Sequence, residues 1–193
     1  MDDLEKKLGY RYTDRELLRT ALTHKSYNEG GRNHGLDNER LEFLGDSVIG
    51  LAITDAIYRR CRDLREGDLA KLRAHLVSSK VLFRVAKSLG LGGHSLLGRG
   101  EETDEGRRNC KIVSSCFEAL VGALYLDSDF VTAARVVSEL FQEILDGLIG
   151  DELAQFKAMC GWDPIAKASG ALAAGRRKDT EELTVFVRGF DKA

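Results

Sequence analysis

The sequence predicts an all-α fold, and three observations lead to this class. The 193-residue chain contains one proline, so the strongest helix breaker is almost absent. Apolar residues make up 43% of the chain, which is enough for a hydrophobic core. Several segments repeat apolar residues at spacings of three and four, the period of one helix face. We therefore expect one helical domain, or at most two domains.

The first half of the chain predicts a short helix, a loop and a long helix. Thr13, Asp14, Arg15 and Glu16 form a capping-box pattern before a short amphipathic helix. Residues 28–35 lack periodicity and contain three glycines, which predicts a loop. From residue 39 to about residue 60, apolar residues cover more than one helix face. This helix is therefore expected to be largely buried and central.

The rest of the chain predicts four more helices and a change of character after residue 150. The helices are expected at 66–79, 79–89, 112–126 and 131–148. Between them, residues 92–109 are rich in glycine and charge and predict a long loop. After residue 150 the helical period weakens, and Leu183–Val187 is typical of a strand. We predict one domain over residues 1–150 and a short tail over residues 151–193.

Charge and composition restrict the possible partners. The 29 basic and 31 acidic residues leave a net charge of −2, so a nucleic-acid partner would need a local basic face. The four cysteines form no CxxC pair and no apolar leader opens the sequence, which predicts reduced thiols in an intracellular, cytoplasmic protein. No apolar stretch reaches the roughly 20 residues that cross a bilayer, so no membrane association is expected.

Three acidic residues share one stripe of the long helix. Glu39, Glu42 and Asp46 fall within an arc of roughly 60° at the helical period. Apolar residues surround them in the sequence, and grouped carboxylates that lose water need positive charge nearby. A divalent cation would supply it. An exposed helix edge, on which the acids pair with Arg40 or Lys25, is the alternative.

Glu118 interrupts the apolar stretch CFEALVGALYL, where a fully solvated charge is not expected. It should therefore face a polar cavity or a metal ion. Carboxylates as the charged ligands, completed by water, are the pattern that Mg²⁺ prefers. A site of this kind suits the hydrolysis of a phosphodiester.

The ten residues NERLEFLGDS, from Asn38 to Ser47, resemble the signature motif of the ribonuclease III family of double-stranded-RNA endonucleases. Other segments follow in an order that is similar to that family. They are ALTHKSY (21–27), EGDL (66–69), LGRGE (97–101), FEAL (117–120) and GALYLD (122–127). The resemblance covers about residues 4–148. It implies the ribonuclease III endonuclease domain fold, with a short C-terminal extension, and a homodimer whose catalytic valley holds duplex RNA.

The resemblance also implies roles for individual acids. Glu42, Asp46 and Glu118 would be ligands of Mg²⁺, for which Mn²⁺ can substitute. Asp46, Glu118 and Glu39 would be the catalytic acids, and Glu66 a supporting acid near the site. The implied reaction is hydrolysis that leaves 5′-phosphate and 3′-hydroxyl ends, in the processing of structured RNA such as ribosomal RNA.

One ligand position departs from the family pattern. Ser115 stands where the family has an aspartate three residues before Glu118. A serine hydroxyl can hold a water molecule but supplies no negative charge, so metal affinity and rate should fall. A catalytically impaired subunit that binds duplex RNA or plays a structural part is therefore the alternative function. A heterodimer, in which the partner supplies a complete site, is a third possibility.

The tail is the second departure, because bacterial members usually append a double-stranded-RNA-binding domain of about 70 residues. Residues 151–193 are expected to be a truncated or degenerate form of it. Duplex affinity would then depend on local basic residues, which could equally belong to an ordinary solvated loop. These residues are Arg99, Arg107, Arg108 and Lys111.

Two further residues have structural interpretations. His24 is expected to be a hydrogen-bonding residue rather than a general base, because water activated by a metal ion needs no histidine. Phe43 is expected either in the core or, as the resemblance implies, at a dimer interface.

Overall fold

The structure is a computed structural model that describes residues 2–29 and 36–147. Its helices, apart from the last two residues of the final one, belong to a compact unit spanning Met1–Leu145. They are α1 (Asp2–Leu8), α2 (Arg15–Leu22), α3 (Ser26–Glu29), α4 (Glu39–Arg60), α5 (Glu66–Leu76), α6 (Ser79–Ser88), α7 (Leu91–His94), α8 (Asp104–Arg107), α9 (Cys110–Asp127), α10 (Phe130–Leu140) and α11 (Gln142–Gly147). The all-α prediction is confirmed for these residues. The predictions for most of the 28–35 loop and for the tail, including the strand at 183–187, lie outside them.

Helices α4 and α9 form the centre of this unit and pack against each other. Helix α4 buries residues at helical spacing, namely Leu41, Gly45, Val48, Ile49, Ala52, Ile53, Ala56 and Ile57. Helices α2 and α6 pack on α9, and α5 and α10 pack on α4. The predicted central position of the long helix is therefore confirmed. Its apolar residues are not all buried, however, because Phe43, Leu51 and Tyr58 are exposed.

Two glycines allow α4 and α9 to cross closely. A Cβ atom on Gly45 would lie 1.7 Å from the carbonyl oxygen of Glu118. One on Gly122 would lie 2.3 Å from the carbonyl oxygen of Leu41. Both distances are well inside van der Waals contact, so any side chain here would push the two backbones apart. The close crossing places the acidic turn of α4 beside the middle of α9.

The predicted capping box at the start of α2 was wrong in its capping residue. Asp14, not Thr13, is the N-cap, and its side chain accepts hydrogen bonds from the backbone N–H groups of Glu16 and Leu17. The Thr13 backbone N–H instead donates to Asp127 Oδ2 at 2.8 Å. A carboxylate with two N–H donors satisfies the free end of a helix better than a single hydroxyl does.

Short helices account for most other differences from the sequence prediction. The segment predicted as one loop at 92–109 contains part of α7 and all of α8, whose N-cap Thr103 accepts from the Gly106 N–H at 3.0 Å. Helices α1 and α3 were not predicted, and the helix expected at 131–148 divides at Phe141 into α10 and α11. A helix of one or two turns offers too few apolar positions to establish a period.

The described parts of the chain contain no helix that combines the length and the apolar character needed to cross a membrane. Their three cysteines, Cys61, Cys110 and Cys116, form no disulfide. Cys116 is buried, which raises the pKa of its thiol to about 11, and its Sγ donates to the carbonyl oxygen of Ala21. These thiols therefore act as core or surface side chains rather than as cross-links.

Candidate active site

A hydrogen bond across the α4–α9 crossing joins two of the predicted site residues. The Ser115 hydroxyl donates to Glu42 Oε1 at 2.9 Å. Both side chains are half-buried. Ser115, which replaces the aspartate of the family pattern, therefore lies in the predicted site and contacts the predicted metal ligand Glu42 directly.

Glu118 lies at the same crossing, and its ionisation is affected by the charges of the acids on α4. Burial, followed by the negative charges of Glu42 and Asp46, raises the pKa of Glu118 to about 7. The influence of both acids means that the three carboxylates lie close enough to interact, with Glu42 and Glu118 half-buried and Asp46 exposed. The structure therefore brings together Glu42, Asp46, Ser115 and Glu118, four residues separated by up to 76 positions in the sequence.

The raised pKa of Glu118 predicts that stability without a cation falls as the pH rises. The carboxyl ionises near pH 4.5 when unfolded and near pH 7 when folded, so in this window the folded state holds the extra proton. The free energy of unfolding should therefore decrease between about pH 4.5 and pH 7. Burial also lowers the pKa values of His75 and His94. The titration of these two histidines should therefore increase the free energy of unfolding as the pH rises.

The measurement is urea denaturation in EDTA at several pH values, for the parent and for Glu118→Gln. The glutamine variant cannot release a proton at this position. The difference in stability between the two proteins should change with pH in favour of the variant as the pH rises. A difference that stays constant across the window would contradict this assignment.

The side chains of the cluster fit Mg²⁺ in their chemistry. They provide oxygen atoms only, and the crowding of negative charge around Glu118 is what a divalent cation would relieve. Among the described residues, however, no group of three or more His, Cys, Asp or Glu side chains is arranged to hold a metal ion. Ser115 explains part of this, since its hydroxyl rather than a fourth carboxylate contacts Glu42.

The other two predicted acids are exposed on α4 and α5. Glu39 is exposed and forms an ion pair with Lys25, with 2.9 Å between Oε1 and Nζ. The alternative of an exposed, paired helix edge is therefore confirmed for Glu39. Glu66 is exposed at the first residue of α5, a helix that packs against α4.

The predicted basic residues divide into an inward-facing arginine and three exposed side chains. Arg107 donates from Nη1 to the carbonyl oxygens of Gly92, at 2.8 Å, and Ser95, at 3.2 Å. It also forms an ion pair with Glu102. Its donors thus connect both ends of the segment that precedes α9, which gives Arg107 a structural role that neither expectation for it included. The exposed residues are Arg99, Arg108 and Lys111.

We expect Arg107→Ala and Arg108→Ala to have different effects. Loss of the Arg107 hydrogen bonds should lower the free energy of unfolding by about 1–3 kcal/mol, because two backbone carbonyls lose their donor. Loss of the exposed Arg108 should change it by less than about 0.5 kcal/mol and weaken duplex-RNA binding instead. Urea denaturation and a filter-binding titration measure the two quantities. Equal stabilities of the two variants would refute the structural role of Arg107.

A second set of contacts, which the sequence did not reveal, connects the loop after α7 to the segment before α4. Ser26 Oγ accepts from the Gly98 N–H at 3.0 Å and lies 2.8 Å from His24 Nδ1. The Asn38 N–H donates to the Thr23 carbonyl oxygen at 2.9 Å. These bonds hold the start of α4 in place, and the structural interpretation of His24 agrees with them.

Comparison with known proteins identifies the family to which this helical domain is related. Residues 14–144 match the Ribonuclease-III-like family. Ribonuclease 3 of Caldanaerobacter subterraneus subsp. tengcongensis is 43% identical over 146 residues, covering 76% of this chain and 64% of that protein. Ribonuclease 3 of Streptomyces coelicolor is 49% identical over 144 residues, covering 74% and 51%. The chain therefore spans about half to two thirds of the length of these curated relatives.

The fold agrees with these sequence relationships. The nuclease domain of ribonuclease III from Campylobacter jejuni superimposes with a TM-score of 0.69 at 38% identity, covering 74% of this chain and 96% of that one. The matched region includes α4 and α9, which carry the acidic cluster. By sequence and by fold, this chain belongs to the ribonuclease III family.

Proposed function

We propose that this chain is an endoribonuclease that hydrolyses the phosphodiester bonds of double-stranded RNA with the help of Mg²⁺. The observation that carries the proposal is the meeting of Glu42, Asp46 and Glu118 at the α4–α9 crossing of a ribonuclease III framework. Processing of structured RNA precursors, including ribosomal RNA, in the cytoplasm is the corresponding cellular role.

The carboxylates of Glu42, Asp46 and Glu118 would hold the cation. When bound, Mg²⁺ supplies activation of water and neutralises the charge that develops on the phosphate. With a pKa near 7, part of Glu118 is protonated at neutral pH, so this side chain would release a proton when a cation binds. The half-buried position of Glu42 and Glu118 strengthens their interaction with a cation relative to bulk water.

We propose that two copies of the chain form a homodimer through the face of α4 that carries Phe43. The Phe43 side chain is 79% exposed, which contradicts the expectation that it could lie in the core of the protomer. The nuclease domain from Campylobacter jejuni is described as having a region involved in dimer formation. Burial of an exposed phenylalanine at a two-fold interface would contribute to both halves of the interface.

Phe43→Ala is therefore expected to weaken the dimer without destabilising the protomer. The dissociation constant should rise at least about 100-fold, because each of two symmetric sites loses roughly 1.5–3 kcal/mol of buried apolar contact. Sedimentation velocity over a range of concentrations measures it. Val131→Ala is the matched control, since Val131 is 77% exposed on another helix. Equal weakening by both substitutions, or by neither, would rule out the proposed interface.

The nuclease proposal is tested by incubating the purified chain with uniformly labelled duplex RNA in Mg²⁺, in Mn²⁺ and in EDTA. We expect endonucleolytic products with 5′-phosphate ends in the two metal-containing reactions and none in EDTA. Single-stranded RNA of the same sequence is the control for substrate class. Intact duplex with the unmodified chain, under conditions in which Ser115→Asp cuts, would refute the proposal.

Ser115 favours a second candidate function, a catalytically impaired subunit that binds duplex RNA or contributes structure. The hydroxyl contacts Glu42 where the family has an aspartate, so the cluster has one negative charge fewer. In this case the unmodified chain binds duplex RNA without cutting it, and Ser115→Asp gains cleavage. A heterodimer would instead show cleavage by the unmodified chain only when a fully acidic partner is added.

A further inference from the structure

The Ser115 hydroxyl makes a specific contact within the acidic cluster. Its hydrogen bond to Glu42 Oε1, 2.9 Å long, connects residues that are 73 positions apart in the sequence. A hydroxyl-to-carboxylate bond is charge-assisted and therefore stronger and more directional than a bond between neutral groups. Because both residues are half-buried, water competes with this bond less than it would on the surface.

The neighbouring serine shows that this contact is not a general property of hydroxyls on α9. Ser114 is buried and donates to the carbonyl oxygen of Lys111, within its own helix, at 3.1 Å. Of these two adjacent serines, Ser115 is therefore the one that reaches across to α4. Ser114 also offers a matched control for the loss of a hydroxyl at this part of the helix.

We propose that Ser115 is a positioning residue that holds the Glu42 carboxylate in place and keeps the acidic cluster folded without a bound cation. The neutral hydroxyl satisfies one carboxylate oxygen and adds no charge. A carboxylate at this position would face Glu42 at hydrogen-bond distance and would add repulsion to a cluster that already contains Glu42, Asp46 and Glu118. The inference relies on the proposed function only in treating Glu42 as a ligand of the cation.

The first test measures Mn²⁺ binding to the full chain by electron paramagnetic resonance, without RNA. Ser115→Ala should raise the dissociation constant about 5- to 10-fold, since the carboxylate is no longer oriented. Ser115→Thr, which keeps the hydroxyl, and Ser114→Ala should bind within about twofold of the parent. Unchanged binding by Ser115→Ala, or equal loss in the alanine and threonine variants, would overturn the positioning role.

The second test measures thermal unfolding in EDTA for Ser115→Asp and for Ser115→Asn, which has the same shape without the charge. The aspartate variant should melt lower by about 3 °C or more, because its charge faces Glu42. High salt should reduce this difference, since it screens like-charge repulsion, and excess Mg²⁺ should reduce it further. Equal melting temperatures of the two variants in EDTA at low salt would overturn the proposal.

The two tests separate this inference from the proposed function. If the chain binds Mn²⁺ with the expected pattern but leaves duplex RNA intact, the positioning role is supported and the nuclease proposal fails. If the parent binds no Mn²⁺, the metal dependence of the proposed function fails, and the melting comparison in EDTA alone supports or overturns the role of Ser115.

Discussion

Glu118→Gln is expected to reduce duplex-RNA cleavage by at least about 1,000-fold, equivalent to about 4 kcal/mol of transition-state stabilisation. The substitution keeps the size of the side chain and removes its charge, so the cluster loses a proposed cation ligand at a half-buried position. The fold should persist, because a neutral side chain is the form that burial favours at this site. The measurement is the single-turnover cleavage rate in Mg²⁺, with circular dichroism to verify the fold.

Glu143→Gln is the matched control for this prediction, since Glu143 is exposed on α11. It should cleave at the rate of the parent. If Ser115 makes the parent too slow to follow, the same comparison is made in the Ser115→Asp background, where the expected loss is the same. A Glu118→Gln rate within tenfold of its parent would show that this carboxylate takes no part in the chemistry.

Gly45→Ala is expected to lower the free energy of unfolding by about 3 kcal/mol or more, a large effect for one methyl group. The added Cβ would lie 1.7 Å from the Glu118 carbonyl oxygen, which is part of the α9 backbone. A helix backbone cannot yield locally as a flexible side chain can, so α4 and α9 must separate. Urea denaturation measures the loss, and the separation should also reduce Mn²⁺ binding in the fraction that remains folded.

Gly50→Ala on the same helix is the control, because a Cβ there has nothing within 4 Å. Alanine in an exposed helix interior is expected to be stabilising by about 0.5–1 kcal/mol relative to glycine. The two substitutions should therefore differ in sign. A destabilised Gly50→Ala, or a Gly45→Ala as stable as the parent, would contradict the close crossing of α4 and α9.

The sequence was most informative where a pattern extends over several turns. The period of apolar residues predicted α4 and α9 to within about two residues at each end, and the stripe of Glu39, Glu42 and Asp46 follows from the same period. The sequence was least informative about short elements such as α3 and α8, which have only four residues each. It also gave no indication that Gly45 and Gly122 are the points of closest approach, because that property belongs to a pair of helices.

In the candidate site, too, some properties follow from the sequence and others depend on how the helices pack. The amino-acid sequence by itself determined the helical class, the acidic stripe, the family and the unusual serine at position 115, since each is a matter of residue type and spacing along one segment. Only the tertiary structure decided that Ser115 donates to Glu42, that Arg107 binds backbone carbonyls and that Phe43 is exposed. The reason is physical: the partner and the burial of a side chain depend on elements far away in the sequence, and local periodicity contains no information about how those elements pack.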